Sequence, residues 1–348
     1  MKRILKSLMA FTLAVSMILG LAGCQGEKRP QLKVYNWGDY IDYSVIDEFE
    51  EKYNIDVIYD EFATNEEMYA KIKAGADDYD ILIPSDYTIK RMIDEDMLHK
   101  IDFNNIPNYK YIDDRFKNLA FDPNNEYSVP YMWGTVGILY NKNMVKETVD
   151  SWKILWDDKY SKQILMLDSL RDSIGITLKM LGYSLNTKDD EELEEAKEML
   201  IKQKPLVLAY VGDEVKDKMI GGEAALAVVW SGDAVYMKRE NSDLEYVVPK
   251  EGSNIWFDSI VIPKTSQNKK EAELFINFLC DPEIAYRNTD YIGYSTPNKE
   301  ALKLLPEEVT SDKTAYPDES ILADCEVFED LADSLVKYDR IWTEVKAQ

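Results

Sequence analysis

Short apolar runs alternate with amphipathic segments in the part of the chain that follows residue 31. Three runs have the length and composition of strands, and they lie at residues 32–37, 55–62 and 79–87. Between them, apolar residues recur at helical spacing in residues 44–53, with Ser44 as the expected N-cap, and in residues 65–75, which Gly75 ends. This alternation predicts an α/β fold with a largely parallel sheet and helices on its faces.

Two longer apolar runs, residues 127–142 and 258–264, are predicted strands that cross between two α/β lobes. The remaining expected elements are strands near 164–167, 206–210, 224–230 and 244–249, and helices at 172–183, 191–203, 269–287 (broken at Pro282) and 327–345. Two lobes joined in this way leave a cleft, and ligands of such sheets bind at the carboxyl ends of the strands. We therefore expect the binding residues at strand ends that face the opposite lobe.

The first residues of the chain have the features of an export signal. Three basic residues precede an apolar stretch at 8–19, and the sequence LAGC follows at residues 21–24. This pattern predicts a lipoprotein signal peptide, residues 1–23, with Cys24 as the lipid-bearing N-terminus. Residues 24–31 then form a polar tether. A plain signal peptide or a short uncleaved anchor is the alternative.

The charge of the chain limits its partners. There are 41 basic and 65 acidic side chains, a formal net charge of −24, and removal of the basic leader makes the balance more negative. Such a surface repels nucleic acid and anionic lipid and attracts small cations. The single histidine and three cysteines form no metal-ligand motif, so no metal or other cofactor is predicted. Cys280 and Cys325 could pair in an oxidising compartment, although the apolar helical surroundings of Cys280 favour a buried thiol.

Aromatic and acidic residues recur together at strand ends that are far apart in the sequence. The clusters comprise Trp37, Asp39 and Tyr40; Ser85, Asp86 and Tyr87; Trp230, Ser231 and Asp233; and Trp256, Asp258 and Ser259, and the loop at 291–298 adds Tyr294. One tryptophan beside one aspartate is usually ordinary packing next to a turn. Four such strand ends in one chain favour a common site.

These side chains suit a short diamine. Each ammonium group has three donors, which need acceptors once the group leaves water. Carboxylates supply charge-assisted hydrogen bonds, and aromatic faces add cation–π attraction of roughly 0.5–2 kcal/mol each. The flat rings also cover the methylene stem, so carboxylates separated by rings would select for the length of the ligand.

The same segments resemble the substrate-binding proteins of polyamine ABC transporters, the spermidine- and putrescine-binding periplasmic or lipid-anchored proteins. The resemblance covers nearly all of the chain beyond the leader, through the motifs YNWGDYI, NEEMYAK, YDILIPSDY, FDPNNEYSVPYMWG, LGYS, WSGDA, VPKEGSNIWFDSIVIPK and IGYSTPN. It implies a two-lobe periplasmic-binding-protein-like fold of type II, with a mixed, mainly parallel sheet in each lobe and the ligand cleft between them. We expect lobe 1 to comprise residues 32–134 and 260–306, and lobe 2 to comprise residues 137–257 and 307–348.

Mapped motif by motif, the resemblance implies polyamine contacts from Trp37, Asp39, Tyr40, Ser85, Tyr87, Asp172, Trp230, Asp233, Trp256, Asp258 and Tyr294. Spermidine-preferring members usually have Glu where Asp39 stands here, and acids in the segment around Asp168 and Asp172. A glutamine of some members is replaced here by Phe328. The choice between putrescine and spermidine therefore stays open.

The expected function is that of an exported receptor, which captures a protonated polyamine and delivers it to a permease driven by a cytoplasmic ATPase. We expect a monomer that catalyses no reaction. Its lipid would hold it on the outer face of the cytoplasmic membrane, or it would be periplasmic in a two-membrane envelope. Two alternatives stay open: a receptor for sugars or other small solutes, and a hydrolase that pairs Asp39 with Asp258. The hydrolase lacks a recognisable nucleophile elbow or histidine base.

Overall fold

The computed structural model describes residues 29–75 and 78–348, so the predicted signal peptide and Cys24 lie outside the described residues. The strands are β1 Gln31–Trp37, β2 Asp56–Phe62, β3 Ile81–Leu82, β4 Ser128–Asn141, β5 Ile164–Leu167, β6 Val207–Val211, β7 Leu226–Trp230, β8 Leu244–Val247 and β9 Ile255–Val261. The α-helices are α1 Tyr43–Tyr53, α2 Asn65–Lys73, α3 Asp86–Asp94, α4 Leu170–Leu181, α5 Asp190–Gln203, α6 Val215–Ile220, α7 Ser231–Glu240, α8 Lys269–Leu279, α9 Pro282–Ile292, α10 Glu307–Thr310, α11 Glu319–Leu322 and α12 Leu335–Ala347. Within those ranges, none of the helices has both the length and the apolar composition that a membrane crossing requires.

A mixed sheet runs through both lobes in the order β2-β1-β3-β9-β4-β7-β5-β6, and β8 also pairs with β4. Parallel pairs join β1 to β2 and β3 in the first lobe, and β5 to β6 and β7 in the second. The antiparallel pairs between the named strands all involve β4 or β9. Each lobe thus has the parallel core that alternating strands and helices predict.

Strand β4 connects the two lobes, as its long apolar run predicts. Residues 128–135 pair with β9, whereas residues 136–141 pair with β7 and β8. Gly134 lies where these pairings change over. A Cβ at that position would lie 2.5 Å from Ser231 Oγ and 2.6 Å from the indole of Trp256. The absence of a side chain therefore lets the Trp256 ring lie directly on the connecting strand.

Both faces of β1 are buried, which fixes the turn at its carboxyl end. Val34 is fully buried on one face and belongs to the same apolar cluster as Phe49 of α1. On the other face, Tyr35 stacks on Tyr79 with ring centroids 4.5 Å apart. Burial on both faces is typical of a central parallel strand covered by helices. The strand thereby delivers Trp37 to the space between the lobes.

Two helices that begin directly after strand ends were not anticipated from the sequence. The strand predicted at 79–87 is confined to β3, because Ser85 is already the N-cap of α3. Likewise, the residues after Trp230 form α7 rather than a turn. Asp86 and Asp233 consequently lie in first helical turns, where the partial positive charge of a helix N-terminus favours a carboxylate.

Two predicted helix starts were wrong. Asp42 rather than Ser44 caps α1, because the Asp42 side chain accepts a hydrogen bond from the backbone N–H of Ser44 at 2.9 Å. The final helix, predicted for 327–345, begins only at the start of α12. The preceding segment is held by tertiary contacts instead, since Arg171 donates to the carbonyl oxygen of Glu329 at 3.1 Å.

The predicted break at Pro282 is confirmed, since this proline is the first residue of α9. Cys280 and Cys325 are both free thiols, so the two do not form a disulfide in this structure. Cys280 is buried, as its apolar surroundings predict, and burial raises the pKa of its thiol to about 12. A thiol with so high a pKa is unreactive at neutral pH.

Candidate functional site

A cavity of about 530 Å³ opens between the two lobes. Every residue that the resemblance implied as a ligand contact lines it, namely Trp37, Asp39, Tyr40, Ser85, Tyr87, Asp172, Trp230, Asp233, Trp256, Asp258 and Tyr294. These side chains lie at six places: the end of β1 and the turn after it, the start of α3, α4, the end of β7 with the start of α7, β9, and the loop after α9. The fold thus gathers residues from six separate parts of the sequence around one space.

Negative charge dominates the cavity wall. Nine carboxylates of the described residues line it, those of Asp39, Glu66, Asp86, Asp168, Asp172, Asp213, Glu214, Asp233 and Asp258. Two cationic side chains, Arg171 and Lys216, line it as well. Low-dielectric walls with one sign of charge concentrate oppositely charged solutes. The cavity is therefore electrostatically suited to a cation.

Asp258 is a buried carboxylate held by two hydroxyl groups. Its exposed fraction is 5 %. Tyr40 donates to Oδ2 at 2.7 Å and Ser85 donates to Oδ1 at 2.7 Å. Burial raises the pKa of Asp258 from 3.8 to about 7, although both hydroxyl donors lower it. None of the described lysine or arginine side chains forms an ion pair with this carboxylate, so its charge is left for another cation to neutralise.

Aromatic rings surround Asp258. The ring of Tyr294 lies edge-on to the rings of both Tyr40 and Trp256, with each pair of centroids 5.3 Å apart. A Cβ at Gly232, in the first turn of α7, would come within 2.2 Å of the Tyr294 ring. The missing side chain of Gly232 therefore allows Tyr294 to lie against the helix and form part of the cavity wall.

A second site of negative charge in the cavity wall consists of two carboxylates, those of Asp172 in α4 and Glu66 in α2. Burial raises the pKa of Asp172 to about 6, opposed by the hydrogen bond that Ser169 donates at 2.7 Å. The negative charge of Glu66 acts in the same direction as burial. Tyr87 donates to Glu66 Oε1 at 3.1 Å and accepts from Asn65 at 3.0 Å. This wall of the cavity thus presents two acids and a phenol that fixes one of them.

Arg171 lies beside these acids but uses its hydrogen bonds elsewhere. Its guanidinium carbon is 4.3 Å from the ring centroid of Phe328 and 5.0 Å from that of Tyr87. It donates to the carbonyl oxygen of Glu329 at 3.1 Å and to Asn186 Oδ1 at 3.0 Å. These neutral oxygens and ring faces hold the guanidinium in place. It forms no ion pair with a carboxylate of the described residues.

A third site of negative charge is a cluster of three carboxylates around the ammonium of Lys216, in α6. Lys216 Nζ lies 3.0 Å from Asp39 Oδ2, 3.4 Å from Asp213 Oδ1 and 3.6 Å from Asp233 Oδ1. Burial raises the pKa of Asp233 to about 6, although Lys216 lowers it. Burial disfavours the charged form of Lys216, but the carboxylates of Asp233, Asp213 and Asp39 raise its pKa above the usual value. The lysine therefore carries its charge at all physiological pH values.

The turn after β1 places Asp39 at the mouth of the cavity. Its φ of 51° lies in the left-handed region, which aspartate tolerates better than most residues. The Asp39 side chain is 71 % exposed, in contrast to Asp258. Neighbouring Trp37 is fixed by the hydrogen bond that its Nε1 donates to the carbonyl oxygen of Ile83 at 2.8 Å. Trp37 thus presents a rigid aromatic surface, and Asp39 a carboxylate already paired with Lys216.

Asp86 is the first residue of α3, directly after the N-cap Ser85, and it does not face water. It is buried, and it accepts hydrogen bonds from the backbone N–H of Tyr87 at 2.7 Å and of Phe257 at 2.9 Å. Burial raises the pKa of Asp86 to about 8, although these two donors lower it. Its contacts tie the start of α3 to β9, beneath the cavity.

The sequence patterns did not select nine polar residues of the wall: Thr64, Asn65, Glu66, Ser169, Arg171, Asp213, Glu214, Lys216 and Asn254. The criterion of acids at strand ends could have found Asp213 and Glu214, which closely follow β6. Lys216 has no comparable signal, since a lysine in a short helix is usually solvated. Among the described residues, no group of histidine, cysteine and acidic side chains has the arrangement of a metal site.

The fold and cavity define a two-lobe solute-binding protein with its ligand site between the lobes. The chain belongs to the family described as bacterial extracellular solute-binding proteins, whose model matches residues 44–317. The resemblance found in the sequence, and the α/β fold of the periplasmic-binding-protein type II that it implied, are thus confirmed.

Individual relatives agree with this assignment. The chain is 38% identical over 336 residues to the spermidine/putrescine-binding periplasmic protein of Salmonella typhimurium, an alignment that covers 96% of this chain and 97% of the relative. It is 33% identical over 368 residues to the putrescine-binding periplasmic protein SpuD of Pseudomonas aeruginosa, with 100% and 99% covered. A solved structure described as a putative spermidine/putrescine ABC transporter from Listeria monocytogenes has a TM-score of 0.89 and 46% identity, with 91% of this chain and 98% of that chain covered.

Proposed function

We propose that this protein is the extracytoplasmic receptor of an ABC importer and that it binds a protonated polyamine, putrescine or spermidine, in the cavity between its lobes. The observation that carries the proposal is the state of Asp258, a buried carboxylate with two hydroxyl donors and no ion-pair partner among the described residues. A buried charge of this kind is costly unless a cation pairs with it. The names of the relatives point to the same class of ligand.

The arrangement of acids and rings accounts for the choice of an elongated cation. One ligand ammonium would bind Asp258, beside the rings of Tyr40 and Tyr294, and a second would bind Asp172 with Glu66. The tryptophans of the wall, Trp37, Trp230 and Trp256, would cover the methylene stem. A sugar site usually mixes amide and guanidinium donors with acids, whereas here acids predominate.

Binding would be coupled to closure of the lobes. We propose the boundaries expected from the sequence, with lobe 1 at 32–134 and 260–306 and lobe 2 at 137–257 and 307–348. The change of pairing partners along β4 near Gly134 supports a boundary at that point. A ligand held by carboxylates of both lobes favours the closed form, because its contacts are complete only there.

In the cell, the closed receptor would deliver its ligand to a permease that is driven by a cytoplasmic ATPase. We infer a monomer that is exported and held at the outer face of the cytoplasmic membrane by a lipid on Cys24. We also infer that it performs no covalent chemistry, since its family is one of solute-binding proteins.

Isothermal titration calorimetry with putrescine, spermidine and butane-1,4-diol tests the ligand class. The diol is the matched control, because it has the four-carbon stem of putrescine with hydroxyls in place of the ammonium groups. We expect saturable binding of at least one polyamine and none of the diol. A protein that binds neither polyamine, or that is stabilised against heat by a neutral sugar instead, would refute the proposal.

A further inference from the structure

The ammonium of Lys216 lies within one cluster of carboxylates in the cavity, in the way that a ligand ammonium would. An ammonium has three donors, and Lys216 has carboxylate oxygens of Asp39, Asp213 and Asp233 within 3.0–3.6 Å. The Lys216 side chain is 14 % exposed and that of Asp233 is 7 % exposed, so this contact is largely screened from water, whereas Asp39 and Asp213 are mostly exposed. The position that a ligand ammonium would take among these carboxylates is therefore already occupied, and one of their three negative charges is already balanced, before any ligand enters.

The contacts of Lys216 belong to both lobes. Asp213 and Asp233 are in the second lobe, one in the same turn as Lys216 and the other in α7. Asp39 lies across the cleft, in the turn after β1. Two of the three partners consequently move with Lys216 whenever the lobes separate. Because the ammonium of Lys216 is tethered beside partners on its own lobe, its effective concentration there is high. A free ligand ammonium would have to compete with that effective concentration to displace the lysine.

We propose that Lys216 stays in place when the ligand binds and limits this receptor to two ligand ammonium groups, at Asp258 and at Asp172 with Glu66. This inference rests on the proposed function and deepens it, because it assigns a residue that selects between diamines and triamines. Asp258 has only hydroxyl donors, and Arg171, which lies beside Asp172, is engaged with neutral oxygens and ring faces. The third ammonium of a longer polyamine would meet Lys216, a like charge, at the remaining group of acids.

The inference is tested by titrating the wild type and Lys216→Met with putrescine and with spermidine at pH 7.5. The quantity of interest is the ratio of the two dissociation constants, Kd for putrescine over Kd for spermidine. We expect Lys216→Met to raise this ratio by tenfold or more, because three carboxylates become available to a third ammonium. Lys216→Arg, which keeps a cation, should retain the wild-type ratio.

Lys218→Met is the matched control, since Lys218 lies in the same helix, pairs with Glu223 at 3.1 Å and does not line the cavity. It should leave the ratio within twofold. If Lys216→Met does not melt cooperatively, Lys216→Gln, which is polar and neutral, carries the same comparison.

Equal tightening of both ligands in Lys216→Met would mean that the ligand displaces the lysine, and would overturn the inference. An unchanged ratio, or loss of spermidine binding alone, would overturn it as well. In each of these cases the wild type still binds a polyamine, so the proposed function stands. Failure of the wild type to bind either polyamine would instead refute the proposed function itself.

Discussion

Replacement of Asp258 by asparagine should stabilise the empty protein while it abolishes tight binding. The pKa of this carboxyl is raised from 3.8 to about 7, chiefly by burial. A carboxyl with a raised pKa holds its proton more tightly in the folded state, so folding is favoured at low pH and loses that contribution as the pH rises from about 4 to about 7. Since each pKa unit is worth about 1.4 kcal/mol, the ionised form costs the empty protein roughly 4 kcal/mol above pH 7.

Asparagine has nearly the same volume and no charge, so this cost disappears in Asp258→Asn. We expect the empty variant to melt roughly 5 °C higher than the wild type at pH 8, from the usual entropy of unfolding of a chain of this length. At pH 5 the wild-type carboxyl is protonated, and the difference in Tm should largely vanish. The affinity for the preferred polyamine should fall by 30-fold or more, because truncating a buried charge pair costs about 2–5 kcal/mol.

Differential scanning calorimetry at both pH values and titration calorimetry at pH 8 measure the two effects. Asp47→Asn is the control, because Asp47 is an exposed aspartate of α1 that does not line the cavity. It should change neither Tm nor affinity appreciably. A variant at position 258 that melts below the wild type at pH 8, or that binds within threefold of it, would show that Asp258 is a structural carboxylate rather than a ligand group.

Three further outcomes are expected. Polyamine affinity should fall roughly tenfold between pH 7.5 and pH 6, because Asp258, with a pKa of about 7, and Asp172 and Asp233, with pKa values of about 6, take up protons. The affinity should fall again near pH ~10, where the ligand amines lose their charge. A flat pH profile of the affinity in calorimetry would exclude a carboxylate–ammonium site. Gly232→Ala should weaken binding and lower Tm, because a Cβ there would lie 2.2 Å from the Tyr294 ring; an unaltered Kd would show that this ring is not a contact. Cys24→Ser should move the protein from the membrane to the soluble fraction in cell fractionation with immunoblotting, and continued membrane association would refute the lipid anchor.

Local pattern was sufficient for most of the fold. Strand β4 has 14 residues, all of them buried except the partly buried Tyr140, and the apolar run at 127–142 already predicts it. The break before α9 follows from Pro282 alone. Local pattern failed at Ser85, where a polar residue that looked like the end of a strand is the N-cap of a helix. Whether such a segment continues as strand or starts a helix depends on packing against distant strands.

The candidate site, like the fold, is only partly predictable from the sequence. Tryptophans and acids at strand ends are visible in the sequence. All of them line one cavity, as do the residues implied by the resemblance, whereas Ser231 and Ser259 of the same clusters do not. Their chemical states are not visible there. Asp39 and Asp258 look alike in the sequence, yet one is 71 % exposed and paired with a lysine, whereas the other is buried and bonded to two hydroxyls.

The sequence by itself determined the alternation of strands and helices, the kinds of side chain at the strand ends and the excess of negative charge, since each of these depends on near neighbours or on composition. Only the tertiary structure decided which charges meet. The hydroxyl of Tyr40 reaches Asp258 across 218 positions, and the ammonium of Lys216 reaches Asp39 across 177. The physical reason is that burial and pairing set the free energy of a charge, and both are properties of the space around a side chain rather than of its neighbours along the chain.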